Sequence, residues 1–315
     1  MRVLFADSNH PILHKTLIHA GFECALHWEK STAELLNEIH LYDILVIRSR
    51  FRLDAPTINR ASKLTCIARV GAGLENIDTD HCETKGIKCI SVPEGNRDAV
   101  GEHALGMLLM LMNNLKKADQ EVRRGVWLRA ENRGHEIKER TVGIIGYGNM
   151  GSAFAEKLRG FGCKILAYDK YKHGFGNALV NECTIETLYH ECDILSIHVP
   201  LTVETQYLVN NDFLGRFRKN IYLVNTSRGK CLNTAHLVDS ILNGKVIGAC
   251  LDVLEYESSS FEKMDNDSLP APMKFLTESD KVILSPHIAG WTYESNYRMS
   301  RLIAEKIIAA FGAKN

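Results

Sequence analysis

The chain has 315 residues, 45% of them hydrophobic, with Lys plus Arg and Asp plus Glu both at 38, so its formal net charge at pH 7 is zero. That length accommodates two domains of ordinary size, and the charge balance excludes a long-range field that would draw the chain to nucleic acid or anionic lipid. Nine scattered cysteines, odd in number and without C-x-x-C spacing, argue against a disulfide framework and a metal site, so a reducing, cytoplasmic setting is expected.

At the N-terminus the apolar run Val3 to Ala6 closes on Asp7, which reads as a first strand and not as a signal peptide. Further short apolar runs follow at Glu23 to His27, Ile44 to Ile47, Cys66 to Val70 and Lys88 to Ser91, alternating with helix-like segments. Ser31 and Glu34 have capping-box spacing for a helix ending near Ile39, and Gly21 and Gly86 stand where C-terminal caps would stop theirs. The expectation is a small, flavodoxin-like parallel α/β domain over residues 1–94.

Next comes a segment that reads as one long helix, from about Arg97 to Arg124, with Ala104 to Met112 apolar on nearly every side. It is far too short an apolar block to span a bilayer. It needs cover all round, by its own sheet on one face and by a second subunit on the other, so a homodimer is expected. Strands then recur at Val142 to Ile145, Lys164 to Tyr168, Ile194 to His198, Ile221 to Asn225, Val246 to Leu251 and Val282 to Ser285. These supply six strands of a Rossmann-like, doubly wound sheet over residues 95–287. The last helix, Tyr293 to Phe311, has no strand after it and is expected to complete the first domain with residues 288–315, giving crossings near Pro93 and Pro286 and a cleft between two lobes.

Within the second domain, Thr141 to Gly151 reads as a strand running into the turn Gly146-Tyr147-Gly148-Asn149-Met150-Gly151. Gly146 allows the tight turn, Gly148 lets backbone approach a pyrophosphate, and Gly151 lets the helix pack close on the strand. Asp169, at the tip of the next strand, is placed to accept from a ribose 2′-hydroxyl and to repel a 2′-phosphate, which favours NAD over NADP. A glycine turn alone is a weak signal, and its flanking strands and acid give it weight.

Three polar residues fall at the ends of late strands, where an open α/β sheet places its ligand crevice. Arg228, in Asn225-Thr226-Ser227-Arg228-Gly229, offers a guanidinium that grips a carboxylate in bidentate fashion. His287 follows Ser285-Pro286, and an imidazole titrates near neutrality, as a group exchanging one proton per turnover requires. Glu257 would hold that imidazole in one tautomer, with Glu255 as its local rival, and these residues alone leave the choice open. His198 is expected to line the cofactor groove.

With these residues laid out, the chain resembles the D-isomer-specific 2-hydroxyacid dehydrogenase family, and within it the 3-phosphoglycerate dehydrogenases. The likeness runs over nearly the whole chain, through Arg69-Val70-Gly71-Ala72-Gly73, Asn76-Ile77-Asp78, the glycine turn, Asp169, His198-Val199-Pro200-Leu201-Thr202, Asn225 to Gly229, Leu251-Asp252-Val253 and Ser285-Pro286-His287. The resemblance implies that Arg228, Glu257 and His287 form a catalytic triad, with Glu257 chosen because it stands five residues after Asp252. It implies that Gly146, Gly148, Asn149, Met150, Gly151, Asp169, His198, Val199, Pro200, Thr205, Thr226, Ser227, Asp252 and Gly290 bind NAD, Asp252 through the nicotinamide carboxamide. It places the substrate carboxylate on the backbone from Val70 to Gly73, Asn96 near the site's mouth, and Arg48, Ser49 and Arg69 at the substrate, the two arginines at a phosphate end.

The activity so implied is hydride transfer between nicotinamide and C2 of a D-2-hydroxy acid, with 3-phosphoglycerate and phosphohydroxypyruvate, the chemistry of serine biosynthesis, as the first expectation. Glyoxylate or hydroxypyruvate, erythronate 4-phosphate and D-lactate-like acids are rivals, and a non-catalytic NAD(H)-sensing corepressor with the same fold is the alternative of another class. Two features depart from the family pattern. Glu257 is followed by Ser258-Ser259-Ser260 in place of the usual proline, and the Glu257 to His287 interval is long. The extra stretch from Ser258 to Lys281 is expected to be a surface loop. Because the sequence stops at Asn315, feedback by serine through a C-terminal regulatory domain is not expected.

Overall fold

The computed structural model describes residues 1–257 and 269–312, and the chain divides into two units, Met1–Asn96 with Trp291–Asn315, and Arg97–Gly290. The first unit runs β1 (Arg2–Phe5), α1 (Ile12–His19), β2 (Glu23–Leu26), α2 (Thr32–Glu38), β3 (Ile44–Ile47), α3 (Ala55–Arg60), β4 (Cys66–Arg69), α4 (Thr79–Thr84) and β5 (Lys88–Ile90). All pairings are parallel, in the order β2-β1-β3-β4-β5, which is the flavodoxin-like order.

Successive side chains of a strand point to opposite faces, and both faces here are apolar. Val3, Phe5, Ile44 and Val46 pack with Leu13 and Leu17 of α1 and with Met299, Ile303 and Ile307 of the C-terminal helix. Leu4, Leu45 and Ile47 pack instead with Leu35, Ile58 and Cys82 of the helices on the other side. The expected capping box forms at Ser31 and Glu34, an arrangement worth about 1 kcal/mol. Gly21 and Gly86 follow the ends of α1 and α4 with φ of 84° and 69°, the left-handed turn that glycine makes without steric cost. The C-terminal helix itself packs on the first sheet through Met299, Ile303 and Ile307.

The second unit runs α5 (Arg97–Met112), α6 (Leu115–Arg123), β6 (Thr141–Ile145), α7 (Asn149–Lys157), β7 (Lys164–Tyr168), β8 (Asn181–Glu182), α8 (Ile185–Glu191), β9 (Ile194–Ile197), α9 (Asn211–Gly215), β10 (Ile221–Asn225), α10 (Thr234–Leu242), β11 (Val246–Leu251), α11 (Ala271–Glu278) and β12 (Val282–Leu284); α12 (Tyr293–Phe311) then returns the chain to the first unit. Its parallel sheet has the order β12-β11-β10-β9-β6-β7-β8. The order reverses between β6 and β9, so the crevice of this sheet lies at their carboxyl ends. β6, β9 and β10 are buried along their whole length, as parallel strands covered on both faces must be.

Three expectations needed correction. The sheet has seven strands and not six; β8 is two exposed polar residues paired to Leu166 and Ala167, too short and too polar to give an apolar signal. The single helix from Arg97 to Arg124 is broken at Asn114, whose φ of 53° is left-handed, a conformation asparagine tolerates because its short amide bonds locally. The stretch from Ser258 to Lys281 is not all loop: Ser258 to Ser268 lies outside the described residues, but α11 buries Met273 and Leu276. That i, i+3 apolar pair is only one turn long and stands directly behind Pro270 and Pro272, which read as loop residues. Among the described residues no helix is long and apolar enough to cross a membrane.

Candidate active site

At the switch point the chain leaves β6 through Gly146, whose φ is 89° and whose missing Cβ would stand 2.6 Å from His198 O. A side chain there would separate the two loops that meet where the strand order reverses. A Cβ on Gly151 would lie 2.1 Å from Gly146 O, whereas one on Gly148 would meet nothing within 4 Å. Gly151 therefore sets the close approach of α7, and Gly148 faces open space. α7 starts at Gly148 with no side-chain cap and no acid in its first turn, so its first N–H groups and its dipole are offered to an anion. Asp169 stands across from them. Its Oδ2 accepts from Tyr147 N at 2.8 Å and its Oδ1 from Tyr171 N and Lys172 N at 3.0 Å, which fixes the carboxylate at the tip of β7 with lone pairs left for ribose hydroxyls.

His198 is neutral, because desolvation lowers its pKa to about 4. Its Nε2 bonds Ser196 Oγ at 2.8 Å, and its Nδ1 is buried without a protein partner, as is Thr226 Oγ1 at the end of β10. Thr205 Oγ1 donates to Pro200 O at 2.6 Å and accepts from Thr202 N at 2.8 Å, closing the loop that follows His198. An uncapped helix start, a fixed carboxylate and two unsatisfied polar atoms at one sheet edge fit the diphosphate and ribose of a dinucleotide.

Along the same edge, the turn after β10 is tied by Asn225, whose Oδ1 accepts from Ser227 N and Ser227 Oγ while its Nδ2 donates to Arg228 O at 3.1 Å. Gly229 lets this turn press on the next: a Cβ there would be 2.0 Å from Leu254 O. Arg228 Nη1 donates to Ser227 O at 2.6 Å. Of the two rival glutamates, Glu255 accepts from Tyr207 Oη and from Thr234 N, both at 2.9 Å, and so anchors the start of α10. Glu257 Oε2 lies 3.1 Å from His287 Nδ1, with both side chains about three-quarters buried. His287 has φ of 56°, an uncommon left-handed backbone of the kind concentrated at functional sites.

What holds His287 there is Asp252, only 1% exposed. Its carbonyl accepts from His287 N at 2.7 Å. Its carboxylate accepts from Ser285 Oγ at 2.6 Å and from Ile288 N and Ala289 N at 2.8 Å. Burial pushes this carboxyl's pKa up, but nearby His103 and the hydrogen bonds from Ser285 and the two amides outweigh burial and leave it below the ordinary carboxylate value.

In the first unit the two expected arginines part ways. Arg69 folds back, its Nε donating to Arg48 O at 3.0 Å and its Nη1 to Gly73 O, and Gly71 leaves room for it, since a Cβ there would be 3.0 Å from Nη1. Val70 N and Gly71 N are already engaged with Ile47 O and Arg69 O. Arg48 instead lays its guanidinium 4.3 Å from the Trp291 ring centroid, and no carboxylate ion pair holds it among the described residues. Burial lowers its pKa, with Asp7 opposing. Ser49 follows in a partly buried bend, and Asn96 keeps a buried Oδ1 without a partner.

Residues 105–289 match the family described as "D-isomer specific 2-hydroxyacid dehydrogenase, NAD binding domain". The chain belongs to that family. It is 34% identical to the hydroxypyruvate reductase of Thermotoga maritima over 91% of this chain and 90% of that one. To the D-3-phosphoglycerate dehydrogenase of Archaeoglobus fulgidus it is 32% identical over 98% of this chain, which spans 57% of that protein's length. Among solved structures, D-lactate dehydrogenase from Aquifex aeolicus, complexed with NAD and lactic acid, superimposes with a TM-score of 0.82 at 26% identity, covering 98% of this chain and 96% of that one.

As a D-2-hydroxyacid dehydrogenase the chain is an NAD-dependent oxidoreductase of a family that acts on small 2-hydroxy or 2-oxo acids. Three supporting residues escape a reading of the sequence alone. Tyr207 and Thr234, which occupy Glu255, and His103, which reaches Ser285, are ordinary helix or loop residues until the fold brings them to the site.

Proposed function

We propose that this dehydrogenase interconverts 3-phosphoglycerate and phosphohydroxypyruvate, with Arg48 as the phosphate ligand and Arg228, Glu257 and His287 acting at C2. The observation that supports this substrate is the Arg48 guanidinium, drawn out of water over Trp291, where the field of Asp7 offsets burial only in part and no ion pair among the described residues holds it. A cation so placed gains most from a dianion. Bound nicotinamide supplies or accepts the hydride. Arg228 orients the substrate carboxylate and polarises the C2 oxygen, and His287 Nε2, with Nδ1 against Glu257, takes the hydroxyl proton in oxidation and returns it in reduction.

The competing reading is hydroxypyruvate or glyoxylate reduction. It is favoured by Arg69, whose guanidinium is engaged with backbone carbonyls, so that one arginine and not two remains for a phosphate. NADH oxidation with phosphohydroxypyruvate, hydroxypyruvate, glyoxylate and pyruvate separates the two. Arg48→Gln is expected to raise KM for phosphohydroxypyruvate roughly 10- to 100-fold, the loss of one charged hydrogen-bonding partner, and to leave glyoxylate reduction nearly unchanged. Equal effects on both substrates would assign Arg48 to the fold or to the carboxylate end.

A homodimer is part of the same proposal. Met110, Leu115, Val122 and Trp127, at 39%, 53%, 52% and 75% exposure, place apolar side chains on α5, α6 and the segment after them, which supports burial against a second copy. Light scattering is expected to return twice the 35.4 kDa chain mass; a monomer at micromolar concentration would remove the dimer. Nine free thiols favour a reducing compartment such as the cytoplasm.

A further inference from the structure

His103 lies on α5, outside every strand-end loop that carries a proposed active-site residue, yet its Nε2 is 2.9 Å from Ser285 Oγ and 3.5 Å from Asp252 Oδ1. The direction of these bonds follows from the groups themselves. An ionised carboxylate only accepts, so the Ser285 hydroxyl gives its proton to Asp252 at 2.6 Å. The nearby Met107 thioether, 3.6 Å away, is too weak an acceptor to compete. The Ser285 oxygen is then left to accept, and His103 donates to it through Nε2–H. Asp252 in turn holds the chain on both sides of His287, through Ser285 before it and Ile288 and Ala289 after it.

We propose that His103 is a positioning residue for the proton-exchanging imidazole: it acts through Ser285 and Asp252 to fix the loop that presents His287, without touching substrate or coenzyme. The inference rests on the reading of His287 as the proton-transfer group. Its physical basis is that His287 sits on left-handed backbone, which persists only where its surroundings hold it. Loss of the Nε2–H donor takes from the part-buried Ser285 oxygen the bond that it accepts and frees the segment to shift. A displacement of about 1 Å at a reacting group costs up to about 100-fold in rate, whereas the glycine turn and Asp169 that bind the dinucleotide are untouched.

The test compares His103→Leu, His103→Gln, Ser285→Ala, the His103→Leu/Ser285→Ala double variant and His287→Ala in the full chain, with 2-oxo acid reduction and NADH binding as separate readouts. Expected is a roughly 10- to 100-fold fall in kcat for His103→Leu with NADH affinity kept. His103→Gln, whose amide donates from the same place as Nε2, is expected to recover most of the rate. The double variant is expected to be no worse than the poorer single one, since both break one chain of bonds. Equal impairment in the Leu and Gln variants, or additive losses in the double, overturns the inference in favour of simple packing. Wild-type kcat in His103→Leu beside a dead His287→Ala overturns it while leaving the His287 reading intact; an active His287→Ala overturns that reading itself. Should His103→Leu fail to fold, the Gln and Ser285→Ala variants carry the same comparison.

Discussion

His287→Ala is expected to lower kcat by about 100- to 10,000-fold, the range over which a positioned acid-base group acts, with NADH affinity left close to that of the wild type. The separation follows from the structure. The proposed coenzyme groups are the uncapped first turn of α7 and Asp169 at the tip of β7, while His287 stands at the other end of the strand order, after β12. Glu257→Gln is expected to cost less than His287→Ala, because it keeps a hydrogen-bond acceptor on Nδ1 and removes only the carboxylate charge. Steady-state NADH oxidation alongside a fluorescence titration of NADH measures both quantities. Parallel losses of turnover and coenzyme affinity would place His287 in the NAD site and remove it from proton transfer.

The second large effect is one of stability. Asp252→Asn keeps the shape of the side chain but sets an amide N–H against a backbone N–H whichever way it turns, because Ile288 N points at Oδ1 and Ala289 N at Oδ2. Removing a charged acceptor from buried donors costs about 3 kcal/mol, a fall in Tm of roughly 6–12 °C for a unit of this size. The pH dependence has a definite sign. The Asp252 pKa is depressed in the folded chain, so its contribution is fully present above the ordinary carboxylate value and fades as pH drops through the folded one. The stability gap between wild type and Asp252→Asn is therefore expected to be widest at neutral pH and to shrink below about pH 4. Thermal melts at neutral pH and below about pH 4 check this; an unchanged Tm, or a gap that does not narrow in acid, would mean that the network does not stabilise the loop.

The glycine turn, Asp169 and nearly every strand were legible because each is a local property. Tight turns need residues without a Cβ, and parallel strands covered on two faces read as short apolar runs. Where local signals were weak, the reading slipped. β8 has no apolar residue, α11 hides its apolar pair behind two prolines, and Asn114 breaks a helix that periodicity alone would continue. The rival pair Glu255 and Glu257 marks the limit more sharply. Both are carboxylates just past one strand, and what separates them is that Tyr207 and Thr234 come to Glu255, and His287 comes to Glu257.

By itself the sequence determined the two α/β halves, the dinucleotide turn and the residue types able to move a hydride's partner proton, since chirality, side-chain period and hydrogen-bonding capacity are set residue by residue. Tertiary structure alone decided which glutamate meets the imidazole, that Arg69 folds onto Arg48 O and Gly73 O while Arg48 faces Trp291, and that His103 reaches Ser285. Those outcomes depend on contacts between residues far apart in the chain. A charge or a lone pair has no fixed role until packing settles which donors and acceptors share its small volume out of water.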